Sequence, residues 1–459
     1  MDPNYQPVSL SRECPHHPLS AQKHMSKQSG FEVYTDQLEA LAQTALKSEA
    51  VNTLSTPITV ALDGGSSAAL RRIVSIDTRR ELGAYFTPSQ LACKAVEFFG
   101  EAIPKSATFM DCACGAGDLL LAVARELPVR RTLSQTLTTW AQQLVGMDLQ
   151  SEFVRAAKLR LLLLAIERGC RIDINDIPPA AEFFPLITEG NGLDGITYRA
   201  GEVTYIIINP SFSRQEAPHG CTWATEKVSS AAVFLHECVS KAQTGTKIVA
   251  ILPDVLRSGS NYNKWRIEIA SKAAIEEVRI VGKFDTWTDV DVFLIRLTVG
   301  RATSDPNGTR WWNTGNAKQI TLGDNFEVEV GRVVPHRDPN LGRWWPFIYS
   351  KVVPPWATVR QFSKHRRFAG KVFEPPFVVV RRTSRPNDKY RAVGSVICGD
   401  QEVAVENHLM VLTPKDGLLR TCHELLDVLR DPATNNWLNE RIRTRHLTVP
   451  ALKDVPYNS

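Results

Sequence analysis

The sequence has no run of about 18 apolar residues, so no segment reads as a membrane span. Its first residues lack a basic stretch followed by an apolar one, so no secretory leader is expected. Cysteine is sparse, nine in 459 residues, and Cys112-x-Cys114 has no second Cys/His pair at zinc spacing. No metal site is therefore expected, and the thiols read as the reduced ones of a cytosolic protein. His16 and His17 are adjacent but without partners and are expected to be merely exposed. The net charge of +5 is too small to demand a nucleic-acid partner, so any such argument must rest on where the charge sits. No nuclease signature of the Pro-Asp…Asp/Glu-x-Lys kind stands out, so any cleaving activity is expected on a separate chain.

What is present centres on Tyr205-Ile-Ile-Ile-Asn209-Pro210-Ser211-Phe212. The isoleucine-rich run reads as a central parallel strand buried on both faces. Ligands of open α/β sheets sit beyond the carboxyl ends of such strands, where Asn209, Pro210 and Phe212 would lie. The Asn209 side-chain oxygen and the Pro210 carbonyl can each accept from an exocyclic –NH₂, while Phe212 can stack on the ring that carries it. Two acceptors on an amine draw it toward tetrahedral geometry and stabilise the cation formed as it attacks. Asn-Pro is also a common turn initiator, so the motif needs company.

That company is upstream. Ala107 to Asp111, the turn Cys112-Ala-Cys-Gly115-Ala-Gly117, and Asp118 to Ala122 read as strand, glycine turn and helix. Leu120 stands where a dinucleotide fingerprint has its third glycine, and no Lys-Ser/Thr follows, so this is no P-loop. A glycine turn without phosphate machinery suits a nucleoside lacking phosphates, such as S-adenosyl-L-methionine. Asp148, after Val145-Gly-Met, is an acidic strand end that can accept from ribose hydroxyls.

With these motifs in this order, the chain resembles class I, S-adenosylmethionine-dependent N6-adenine DNA methyltransferases of restriction–modification systems. The nearest kinds are Type I modification subunits and Type II/IIG amino-methylases. That family carries Gly-x-x-x-Thr-Pro, then Asp-Pro-x-Cys-Gly-Ser-Gly, then Asn-Pro-Pro-Tyr/Phe. Here the matches are Gly83-Ala-Tyr85-Phe86-Thr87-Pro88, then Asp111 to Gly117 with Cys112 for proline, then Asn209 to Phe212 with Ser211 for the second proline. The resemblance implies that Tyr85, Thr87 and Pro88 enclose the methionine part of the cofactor, that Asp111, Gly115 and Gly117 hold the same end, and that Asp148 holds the ribose. It implies that Glu189-Gly190-Asn191 contacts the cofactor's adenine edge, with Asn191 where many relatives have Asp. It further implies double-stranded DNA as partner, a flipped adenine as target, and a separate restriction endonuclease or specificity subunit. The setting expected from it is bacterial, cytoplasmic and nucleoid-associated. Cytosine N4, an RNA or protein amide, and a non-catalytic recognition subunit remain open alternatives. Two readings of Asp118 also stand: a helix start, which is preferred, and a partner for the cofactor's ammonium.

At 459 residues the chain has room for at least two domains. Residues 1–80 read as a polar arm followed by a helical cap, with helical spacing from Phe31 to about Ala50. From 81 to 303 strands and helices alternate, which predicts an α/β, Rossmann-like sheet. Helices are expected over 88–102, 151–168 and 224–241, and strands over 247–253, 275–281 and 292–299. Residues 304–459 read as a mixed α+β target-recognition domain, ending in helices over 417–430 and 437–446. Between Arg360 and Arg391 ten basic residues face two acidic ones. Arg366, Arg367, Lys371, Arg381, Arg382 and Arg385 are the candidates for DNA contact there. The tryptophan pairs Trp311-Trp312 and Trp344-Trp345 are expected in the core.

Overall fold

The structure, a computed structural model, describes residues 29–48, 54–75, 79, 85–179, 181–300, 311–312 and 319–457. The expected arm with His16 and His17, Gly83, and the composition break at about 303 lie outside these residues.

Seven strands form the principal sheet: β1 Phe109–Asp111, β2 Leu144–Asp148, β3 Ile187–Glu189, β4 Tyr205–Ile208, β5 Lys247–Pro253, β6 Ala273–Lys283 and β7 Asp291–Val299. Their order is β3-β2-β1-β4-β5-β7-β6. β1 to β5 are parallel, and β7 enters antiparallel between β5 and β6. The fold is thus α/β and Rossmann-like. β4 sits centrally and carries apolar residues on both faces. Tyr205 and Ile207 join one buried cluster, Ile206 and Ile208 the other. A continuous apolar run, rather than an alternating one, is what such a strand requires.

Helices α1 Ser29–Lys47, α2 Ser55–Leu62 and α3 Gly65–Ile73 pack on one face. In α1 the residues Phe31, Leu38, Ala42 and Ala45 are buried, the spacing of a single helical stripe. Helix α4 spans Ser89–Glu97 and stops earlier than its apolar pattern suggests. Gly100, left-handed at φ +72°, turns the chain where a Cβ would strike the Arg296 guanidinium. Helix α5, Asp118–Glu126, follows the glycine turn; α6, Leu133–Gln143, leads into β2; α7, Ser151–Glu167, follows β2. Helix α8 is Gly192–Arg199, and α9 is Ser230–Lys241. The last starts six residues later than the pattern from 224 suggests, because Val228 and Ser229 pair antiparallel with Gln215 and Arg214.

The C-terminal part is α+β. Its strands are β8 Phe326–Val330, β9 Arg343–Ile348, β10 Thr358–Val359, β11 His365–Phe368, β12 Phe377–Arg381, β13 Gly394–Ile397, β14 Ala404–Val405 and β15 Leu409–Pro414. They form a five-stranded sheet, β8-β15-β12-β13-β10, and a three-stranded one, β11-β9-β14. Helix Leu419–Arg430 covers the larger sheet. The following helix runs Pro432–Arg441 and so begins and ends earlier than the expected 437–446. Asp431 caps it by accepting from Ala433 N–H (2.8 Å), with Pro432 at its first position. Of the tryptophans expected in the core, Trp311 is fully buried, but Trp344 is 55% exposed. Arg367, opposite it on β11, lies over its ring. No helix among the described residues is long and apolar enough to cross a membrane.

Candidate active site

The carboxyl ends of β1, β2 and β4 converge. The turn after β1 is bound to β2 by its backbone: Cys114 N–H donates to Met147 O (2.9 Å), and Gly115 N–H to Asp148 Oδ2 (3.0 Å). Gly115 is left-handed at φ +52°, and a Cβ there would sit 3.0 Å from the Phe86 ring. Gly117, at φ +85°, caps α5 only 2.8 Å, at the Cβ position, from Ala157 of α7. Only glycine meets both the angle and the approach. Asp111 is buried at the end of β1 and accepts from Ala113 N–H (3.1 Å). Asp148 Oδ1 accepts from Gln150 N–H (3.0 Å). Each Asp148 oxygen keeps a lone pair for a further donor such as a sugar hydroxyl.

Burial, reinforced by the Asp148 and Asp118 carboxylates, raises the Asp111 carboxyl to about 8. Burial also raises Asp148 to about 6, against the pull of three backbone N–H groups. Two carboxyls held reluctant to ionise suit a ligand that brings a positive charge and hydroxyls together.

Asn209 directly follows β4, and its Nδ2 donates to Thr87 Oγ1 (2.9 Å). This bond brings the Tyr85–Pro88 segment and the Asn-Pro segment together and sets the amide orientation. Asn209 Oδ1 is then buried without a hydrogen-bond partner. A buried acceptor left unsatisfied is costly, and such exceptions in native folds call for a ligand or a chemical task. Phe212 is half-buried, its ring 5.5 Å from that of Phe284, which also meets Tyr85 at 6.3 Å. Ser211 donates to Ser213 Oγ (2.8 Å) and accepts from Ser213 N–H (3.2 Å). Its hydroxyl thereby ties Ser211 to Ser213 within the loop.

A profile of N-6 DNA methylases matches residues 72–309, just over half of the 459. The chain belongs to the N-6 DNA methylase family. Among solved structures, it is similar to the Type IIL restriction-modification enzyme MmeI in complex with DNA, at 14% identity over 85% of this chain and 70% of that one, with a TM-score of 0.55. That likeness extends the shared fold beyond the family segment. A modification subunit of a putative type I restriction enzyme from Vibrio vulnificus YJ016 aligns at 16% identity and a TM-score of 0.38 over 52% of this chain, spanning only half of that subunit's length. No curated protein matches.

Within the family segment, three placements add to the motif reading. Asp118 starts α5 and also forms an ion pair with Arg160 Nη2 (2.9 Å). Arg160 is fully buried in α7 and donates as well to the carbonyls of Ala61, Leu62 and Ala116. Asp118 is therefore engaged by the protein itself. Arg160, the one charge within Leu159-Arg-Leu-Leu-Leu-Leu164, is the signal that sequence reasoning passed over. Phe284, just beyond β6, was missed as well, and no motif marks it. Asn191 is exposed and caps α8, its Oδ1 accepting from Leu193 N–H (3.1 Å), while Pro88 caps α4.

The basic candidates sit on different elements and have different partners. Arg366 and Arg367 lie on β11; Arg366 donates to Asp338 O and lies over Phe347. Lys371 pairs with Glu329, and Arg381 donates to Val353 O (3.3 Å). Arg382 is half-buried, with Nε unpartnered. Arg385 is exposed in a cavity of about 330 Å³ between the sheet's carboxyl edge and the C-terminal part, shared with Lys283, Asp291, Arg443 and Arg445. Arg391, counted with the basic surface, is instead buried and donates to Ser384 O, Ile442 O and Thr444 O. It ties chain segments together and cannot face a phosphate.

Proposed function

We propose that the chain is a site-specific DNA adenine N6-methyltransferase of a restriction–modification or phage-defence system. The observation that carries this reading is the buried, unpartnered Asn209 Oδ1, oriented by Thr87 and flanked by Phe212. In this reading Asn209 Oδ1 and the Pro210 carbonyl accept from the target amine, and Phe212 stacks on the flipped base. S-adenosyl-L-methionine, when bound, supplies an electrophilic methyl group. The residues present fit it. Asp111, Gly115 and Gly117, with Tyr85, Thr87 and Pro88, would hold its methionine part, Asp148 its ribose and Asn191 its adenine edge. The glycine turn gives close backbone approach, and the two reluctant carboxyls suit its cation and hydroxyls. Residues 304–459 would act as the target-recognition domain, with Arg366, Arg367, Lys371, Arg381, Arg382 and Arg385 on duplex DNA. The protein would work in the bacterial nucleoid beside a separate endonuclease or specificity chain.

The test is expression in a methylation-deficient bacterium, followed by modification-sensitive long-read sequencing. N6-methyladenine at one recurring motif, absent with Asn209→Ala, supports the reading. Unmodified DNA from cells containing the soluble protein counts against a self-sufficient methyltransferase.

A further inference from the structure

The hairpin between β6 and β7 lies at the same carboxyl edge as Asn209, since β6 runs in the direction of β4. Phe284 N–H donates to Val290 O (2.9 Å) and closes the turn. Its ring goes inward, against Phe212 and Tyr85. Three residues on, Trp287 is 58% exposed. Asp285 Oδ1 accepts from the backbone N–H of Trp287 (2.8 Å) and of Thr288, and Thr288 is buried. Asp289 pairs with Arg445, and Asp291 with Arg443 (2.8 Å), on the C-terminal side. Arg71 of α3 lies 5.8 Å over the indole from the N-terminal side. A hairpin braced this way holds a large planar apolar group in water at the rim of the pocket. Core packing does not need it there, and a rigid aromatic in that place is suited to stacking.

We propose that Trp287 stacks on the duplex at the target step and takes the place vacated when the target nucleotide leaves the helix. This rests on the DNA-methyltransferase reading above. Extruding a nucleotide costs unstacking and unpairing, and an indole inserted against the exposed bases repays part of it. Arg71, over the indole, brings positive charge toward a flanking phosphate.

The test compares wild type, Trp287→Ala and Trp287→Phe on two duplexes carrying the recovered target motif. One is fully paired; in the other the target adenine faces an abasic site and is already half released. Trp287→Ala should lose about 10-fold or more in kcat/KM on the paired duplex, the effect of about one lost base–aromatic stack. It should come within about threefold of wild type on the abasic duplex, where unpairing no longer has to be offset. Trp287→Phe should retain most activity on both, and S-adenosylmethionine affinity should be unchanged in all three. Equal activity of Trp287→Ala and wild type on the paired duplex overturns the proposal, and so does an equal loss on both duplexes. If wild type methylates neither duplex, the underlying reading falls and this inference falls with it.

Discussion

Replacing Asp111 by Asn tests the electrostatics of the pocket directly. The Asp111 carboxyl is buried near two other carboxylates and is raised from 3.8 to about 8. Between these values the folded chain keeps a proton that the unfolded chain has released. Folding is then linked to proton uptake, so stability falls as pH rises, by about 1.4 kcal/mol per pH unit from this group. The loss slows near pH 8, where the folded carboxyl ionises too. Asp148, raised to about 6, acts with the same sign but mainly below pH 6, so the interval from 6 to 8 isolates Asp111. Over that interval Asp111 alone removes about 2 kcal/mol. For a unit of about 150–250 residues that is roughly 4–8 °C in melting temperature.

Asp111→Asn keeps an oxygen to accept from Ala113 N–H but cannot ionise. Melting curves recorded without cofactor should therefore show a wild-type drop between pH 6 and pH 8 that exceeds the variant's drop by about 4–8 °C. Taking the difference between the two proteins removes the contribution of titrating groups that do not sense Asp111. A bound cation favours the ionised carboxyl. The stabilisation of wild type by S-adenosylmethionine should accordingly be larger at pH 8 than at pH 6, and this gain should be weaker in the variant. Parallel curves for the two proteins would refute the account of a carboxyl held neutral by its surroundings.

Three further outcomes are expected. Asn209→Ala should lower single-turnover methylation by about 10²–10³, the usual effect of removing one preorganised group that meets developing charge, with cofactor affinity retained; loss of cofactor binding instead would move Asn209 out of the chemical step. Arg160→Met leaves Asp118 buried without its partner and should cost about 3–5 kcal/mol in denaturant unfolding; Arg160→Met/Asp118→Asn should regain only the part due to the unpaired charge, because the carbonyls of Ala61, Leu62 and Ala116 still lack their donor, and an unchanged midpoint in the single variant would contradict a structural ion pair. In DNA-binding titrations, Arg367→Ala and Arg385→Ala should each reduce the slope of log K against log[salt] by about 1. Arg391→Met should lower thermal stability and leave that slope alone, and a reduced slope for Arg391→Met would mean the buried assignment is wrong.

The sheet was legible because its signals are local. Isoleucines at 206–208 running into Asn-Pro read as a strand buried on both faces, and glycines at 115 and 117 read as a turn, which the structure makes left-handed and tight against its neighbours. The pocket motifs were legible for the same reason, since a residue type at a strand end carries its geometry with it. What failed to show was long-range. Arg360 to Arg391 looked like one basic face, yet charge density along a chain says nothing about direction. Arg391 turned inward to satisfy the carbonyls of Ser384 and, just beyond the last long helix, of Ile442 and Thr444, while Lys371 met Glu329 from a strand more than forty residues earlier. Arg160 and Phe284 were hidden for a related reason. Each matters through partners 42 to 99 residues away in the first case and 72 to 199 in the second. Trp344 and Trp287 show the converse. Tryptophan composition favours burial, but a strand register that sets Trp344 beside Arg367, and a hairpin braced on both shoulders, hold these two rings in solvent. Exposed aromatics fixed by charged neighbours are where this fold departs from the rule of apolar inside, so that burial alone does not account for the choice of residue there.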